Sequence, residues 1–172
     1  MTSPSRSLRW LPLALVALLS PGTASAVPYR LTPADRAAIT ALMRRFFTAV
    51  TTGARAPTGV FPTRAEFIGL YSGPRAQPGE AEALAQRQLA AIDRDVQSLR
   101  EPFARGRFTG LAGREMTSGT LDVRPCGRLA LATSQCATGP VLEWTVDGQS
   151  HRVRVDTIVR LRTGWRIYDV RR

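Results

Sequence analysis

Residues 141–170 read VLEWTVDGQSHRVRVDTIVRLRTGWRIYDV, and this stretch decides the fold of the second half of the chain. Val141 to Val146 alternates apolar and polar residues. Asp147-Gly148 follows, the dipeptide favoured by a two-residue hairpin turn because both corners need a positive φ. From His151 to Arg162 the alternation resumes, with Val153, Val155, Val159 and Leu161 on one face and Arg152, Arg154, Arg160 and Arg162 on the other. Counting back from the turn pairs Glu143 with Arg152 and Leu142 with Val153, so unlike charges meet and apolar residues meet. Thr163-Gly164 reads as a second tight turn leading into a closing strand from Trp165 to Val170. In that register Val159 faces Tyr168, Arg160 faces Ile167 and Arg162 faces Trp165.

Upstream the period changes from two to that of a helix. Thr32-Pro33-Ala34-Asp35 has the layout of a capped start, with Thr32 at N-cap, Pro33 at the first helical position and Asp35 three residues after the cap. Ile39, Leu42, Met43, Phe46 and Val50 then share one helical face, and Gly53 is a natural stop. Residues 53–62 carry Gly53, Pro57, Gly59 and Pro62 and read as a loop. Thr63 to Glu66 is a second capping box, opening a short helix that ends near Tyr71 before Ser72-Gly73-Pro74. A third helix, from about Gly79 to Phe103, carries Leu89, Ile92, Val96, Leu99 and Phe103 as a narrow apolar stripe. A coiled-coil seam needs more heptads than this, and a helix lying on a sheet fits better. Residues 106–133 are less regular; strands near 107–124 and 128–133, joined near Cys126, are the expectation.

The N-terminus concerns location. Arg6 and Arg9 precede an apolar run from Trp10 to Leu19 broken only by Pro12; Ser20-Pro21-Gly22 ends it and Ala24-Ser25-Ala26 supplies small residues. This is the layout of a cleavable signal peptide over residues 1–26, and the run is too short to span a bilayer, which takes ~20 apolar residues. The arginines are not adjacent, which argues against the twin-arginine route. The expectation is general secretion of an unfolded chain with no cofactor bound beforehand, and a single exported domain at 27–172, periplasmic or secreted. Cys126 and Cys136 are the two cysteines. An even count in an exported protein favours a disulfide between them, the alternative being two buried thiols. Two cysteines with one histidine, His151, do not make a zinc site.

The formal charge is +11, and removal of Arg6 and Arg9 leaves +9. Such a balance suits an anionic partner such as lipid head groups or an envelope polymer. The basic residues are 24 arginines with no lysine, and asparagine is missing too. GC-rich codon usage produces that bias, so part of the charge reads as genomic background. Arg152, Arg154, Arg160 and Arg162 form the best positional candidate for an anion site, since guanidinium groups grip phosphates bidentately. The plainer alternative is a solvated sheet face crossed by ion pairs to Glu143, Asp156 and Asp169. No strand shows the aromatic trio that stacks single-stranded RNA, which argues against nucleic acid.

Catalytic signals are sparse. His151 lies near a hairpin turn, opposite Trp144, with no nucleophile pattern around it. Asp35, Asp93, Asp95 and Asp122 could each serve as a lone carboxylate in a pocket, and Asp35 already has a capping role. The acids of the long helix do not share a face at metal-ligand spacing. No phosphate-loop pattern accompanies the glycines of 106–119. Phe46, Phe67, Tyr71, Phe103, Trp144 and Tyr168 could line a ligand cavity, although such residues more often make a core.

The order helix, short helix, long helix, then antiparallel meander, closed by Thr163-Gly164-Trp165-Arg166-Ile167-Tyr168-Asp169-Val170, resembles small exported members of the nuclear transport factor 2-like superfamily. The resemblance covers most of 33–171 as topology and about eight residues as motif. It implies an α+β fold, N-terminal helices packed on a curved antiparallel sheet that closes into a cone with a pocket. Members include enzymes that use a pocket Asp with Tyr or Asp donors, small-molecule carriers and non-catalytic dimer modules; none of the enzymes' positions can be assigned here. The expectation is therefore an exported, non-catalytic binding domain for a protein partner or small apolar ligand, with a homodimer open. The alternatives are a carrier or sensor of anionic lipid or envelope polymer through the arginine face, and a ketosteroid-isomerase-like lyase or isomerase.

Overall fold

A computed structural model describes residues 27–53, 58–73, 77–126 and 135–170. The expected signal peptide, the guessed strand at 128–133 and the last two arginines lie outside them. Three helices form where the sequence places them: α1 (Pro33–Thr52), α2 (Arg64–Tyr71) and α3 (Glu80–Phe103). Both capping boxes are present. Thr32 Oγ1 accepts from the Asp35 N–H while the Asp35 carboxylate accepts from the Thr32 N–H, and Thr63 and Glu66 repeat the exchange. Each satisfies donors that the first helical turn would leave orphaned. Gly53 ends α1 in the left-handed conformation, at φ +72°, where a side chain would be strained.

The strands are β1 (Val27–Arg30), β2 (Arg107–Ala112), β3 (Thr120–Pro125), β4 (Gln135–Thr138), β5 (Val141–Val146), β6 (Gln149–Arg154), β7 (Thr157–Leu161) and β8 (Gly164–Asp169). A short helix, α4 (Arg114–Ser118), interrupts the span expected to be strand between 107 and 124. The result is α+β with two antiparallel sheets, ordered β1-β3-β4-β7-β8 and β2-β5-β6, where the sequence suggested one curved sheet.

The two sheets share a single bent hairpin. The Asp147-Gly148 turn has positive φ at both corners. From it one register runs without slip through Glu143↔Arg152 and Val141↔Arg154 to Cys136↔Val159 and Gln135↔Arg160. At the bend Val155 N–H donates to Pro140 O and Gly139 N–H to Asp156 O, each at 3.1 Å. A Cβ on Gly139 would lie 2.2 Å from the Val155 carbonyl oxygen, so the close approach at the corner requires glycine.

The β7–β8 turn differs from the expected one. Leu161 pairs with Gly164 and Arg160 with Trp165, so Arg162 and Thr163 are the corners. Gly164, at φ +111°, follows them. Glycine is favoured at the position that follows a two-residue type I turn, so the corners lie one residue earlier than Thr163-Gly164.

The predicted apolar faces make the core. Ile39, Leu42, Met43, Phe46, Val50, Ile92, Val96, Leu99 and Phe103 are buried between the helices and the sheets, together with Leu121, Leu142, Ile158 and Ile167. Phe46, Phe67, Phe103 and Trp144, offered as cavity-lining candidates, are buried in this core as well. Cys126 and Cys136 are joined, both buried, and tie the end of β3 to β4. Closing a loop of this length stabilises by roughly 3 kcal/mol on the chain-entropy model. No helix among the described residues is long and apolar enough to cross a membrane.

Candidate functional site

Of the described acidic residues, Asp35 alone is buried, at 7% exposure, and the fold converges on it. Its backbone position is set by the capping box of α1. Its carboxylate continues past the cap to reach three other elements. Oδ2 accepts from Tyr29 Oη of β1 at 2.9 Å, from Thr32 Oγ1 at 2.7 Å and from Thr32 N–H at 3.2 Å. Oδ1 accepts from Trp165 Nε1 of β8 at 3.1 Å. The Arg160 guanidinium of β7 stands 3.9 Å from Oδ1 and donates to Tyr29 Oη. Its Cζ lies 5.2 Å from the Tyr29 ring centre and 5.9 Å from that of Trp165, a cation held against two aromatic faces.

Burial by itself would raise the pKa of Asp35. The hydrogen bonds from Thr32, Trp165 and Tyr29 outweigh it and hold the carboxyl at about 2, below its usual 3.8. Tyr29 is pushed above its ordinary value by burial and by its bond to Asp35, with Arg160 opposing. A general base works best with a pKa near the operating pH and with an oxygen turned toward the substrate. Asp35 has neither property: it is an anion at neutral pH, and its oxygens are occupied by donors from its own chain.

A second polar cluster lies where α2 meets β8. Tyr71 Oη and Tyr168 Oη are 2.8 Å apart, and Gln88 of α3 donates to the Tyr168 carbonyl at 3.0 Å. Burial, then the neighbouring Tyr168 hydroxyl, drives Tyr71 far above the usual tyrosine range, so it stays a neutral hydroxyl. Glu66 accepts from Thr163 and Thr63 and sits 3.9 Å from Arg166; these contacts override its partial burial and lower its pKa. Tyr71 and Glu66 are thus each engaged by partners within the chain. A cleft of about 100 Å³ is lined by Asp95, Ser98, Leu99 and Val170. Small-molecule sites run to ~300 Å³ and above.

The four arginines read as one face are not brought together. Arg152 and Arg154 lie on the outer side of the three-stranded sheet, where Arg152 Nε meets Glu143 Oε1 at 2.6 Å and Arg154 donates to the Gly139 carbonyl. Arg107 joins them there, in register with Thr145 and Ser150. Arg160, past the bend, pairs with Trp165 and turns onto Asp35. Arg162 is exposed at the β7–β8 turn. The other candidates are scattered. His151 stacks on Trp144 with ring centres 5.5 Å apart. Asp93 and Asp122 are exposed, and Asp95 lines the small cleft. No group of three or more metal-ligating side chains gathers among the described residues.

Sequence reasoning found the cap in Asp35 and missed its partners. Tyr29 lies in a four-residue strand whose only mark is Pro28, and Trp165 and Arg160 approach from about 130 residues away. No spacing signal connects them. The class these features define is a small α+β domain built around an internally satisfied carboxylate. Set against family models, curated proteins and solved structures, the chain matches none.

Proposed function

We propose that this protein is an exported, non-catalytic binding domain. The observation that carries the reading is the state of Asp35, the best-placed carboxylate for acid–base chemistry. Its oxygens are saturated by Tyr29, Thr32 and Trp165, hydrogen bonds that favour the ionised form and lower its pKa. A ketosteroid-isomerase-like reaction would need that carboxylate to exchange a proton with a substrate. Export rests on the layout of residues 1–26 and is in keeping with the buried Cys126–Cys136 bridge. Kinship with the nuclear transport factor 2-like superfamily remains part of the proposal, supported by the closing motif 163–170 and the order of the helices.

Native mass spectrometry of the protein purified from a periplasm tests the reading. A reproducible extra mass, released on denaturation, is the expected result, and its chemistry names the ligand class. Turnover of any substrate that is abolished by Asp35→Asn, with the fold retained, would overturn it.

A further inference from the structure

Among the described residues the two sheets end in four edge strands, and three of these are blunted against strand addition by proline, shortness, register or a covering bond. At β8, Ile167 N–H is occupied by the Val60 carbonyl at 2.8 Å. β1 is four residues long and contains Pro28. β2 slips register between Phe108 and Gly110. Short strands, proline, irregular register, covering loops and charged side chains are the usual protections of an edge. Among the described residues β6 has only the last of them, in Arg152 and Arg154. Gln149–Arg154 runs six residues in unbroken register with β5, contains neither Pro nor Gly, and stands last in its sheet among the described residues.

Register also fixes which backbone groups are presented. A two-residue turn makes Val146/Gln149, Trp144/His151 and Leu142/Val153 the hydrogen-bonded pairs. The Val155 N–H to Pro140 O bond continues that alternation beyond β6. The N–H and C=O of Ser150 and Arg152 therefore point away from β5. Their side chains, with that of Arg154, lie on the outer face of the sheet and are exposed. An added strand would run ~4.8 Å away, and its alternate side chains would stand beside Ser150, Arg152 and Arg154.

We propose that the β6 edge is a docking site for an extended segment of another protein carrying acidic residues at alternate positions. Main-chain hydrogen bonds to Ser150 and Arg152 hold the segment, and the arginines select its charge, the mode of β-strand addition. Glu143 orients Arg152 through one nitrogen at 2.6 Å, and a guanidinium has further donors for a second carboxylate. The charge that favours an acidic strand disfavours self-pairing: in a two-fold pairing centred on Arg152, that residue faces its own copy. This inference rests on the reading of the protein as a binding domain and names the partner chemistry.

The test uses the purified protein and an acetylated, amidated heptapeptide, Thr-Asp-Val-Asp-Val-Asp-Thr. At saturation, amide exchange at Ser150 and Arg152 should slow by ~10-fold or more, since a new backbone hydrogen bond protects an exposed N–H. The same peptide with Lys for Asp, and an acidic peptide N-methylated at alternate residues, should give no protection. Arg152→Glu should abolish the effect. Ser150→Pro should also weaken binding while leaving the fold intact by circular dichroism, because the N–H it removes points outward. Unchanged exchange with the acidic peptide, or equal protection by the N-methylated one, would overturn the proposal. Protection that grows with protein concentration alone would overturn it in favour of a second copy. A co-purifying ligand retained by Ser150→Pro and Arg152→Glu would refute the edge while leaving the binding-domain reading in place. Absence of both peptide binding and any co-purifying ligand would refute both.

Discussion

Two of the arginine–acid contacts in this molecule differ in kind: Arg152 with Glu143, and Arg160 with Asp35. On the outer face of the three-stranded sheet Arg152 and Glu143 touch at 2.6 Å, with the Arg152 side chain 70% exposed. In the five-stranded sheet Arg160 stands 3.9 Å from Asp35. Water and salt screen the first pair, and ordering two side chains offsets much of its Coulomb gain. Asp35 is removed from water while Arg160 is 45% exposed, so the second pair is screened in part as well, and it is the hydrogen-bond donors aimed at the buried carboxylate that count. What ranks the two sites is the set of partners each acid would leave behind.

That contrast can be broken at Asp35. Asp35→Ala removes the α1 cap and leaves the Tyr29 hydroxyl and the Trp165 N–H without their acceptor, and is expected to cost about 2–4 kcal/mol in denaturant unfolding. A loss below about 1 kcal/mol would show that the hub is incidental to stability.

Acid supplies the next effect. The folded pKa of Asp35, about 2, lies below its unfolded 3.8. The stabilisation is thus complete above about pH 5 and is lost as pH falls through about 4 toward 2, amounting to roughly 2 kcal/mol. Glu66, also lowered, contributes in the same direction. The wild-type profile minus that of Asp35→Asn isolates the Asp35 share; identical slopes would mean that the carboxyl is not depressed. A smaller change, about 1 kcal/mol, is expected for Trp165→Phe, which keeps most of the packing and deletes the Nε1 donor to Asp35. At the exposed pair, Glu143→Gln should move stability by less than about 0.5 kcal/mol. A loss as large as that of Trp165→Phe would erase the distinction between the two sites.

Much of the fold is legible because its signals are local. The capping boxes at Thr32 and Thr63 span four residues each, and both form as read. The Asp147-Gly148 turn sets a register that extends unbroken to Gln135↔Arg160, so β4 could have been located by counting further along the same ladder. β1 and α4 left no comparable trace. Strands of four residues and helices of five are too short for periodicity to identify, and they form because longer elements present an edge or a surface to them.

The sequence by itself determined the first three helices, their buried faces, the central hairpin and the α+β class, since each follows from the spacing of residues a few positions apart. Tertiary structure alone decided the fate of the arginines and of Asp35. The alternation from Arg152 to Arg162 suggests one exposed face, but a strand's inward side depends on what packs against it. The Gly139/Val155 bend carries Arg160 onto a helix terminus while Arg152 and Arg154 stay in solvent. Asp35 reads as a helix cap, which it is. Its second role arises because Tyr29 and Trp165 arrive from strands distant in sequence, and no local pattern encodes that meeting.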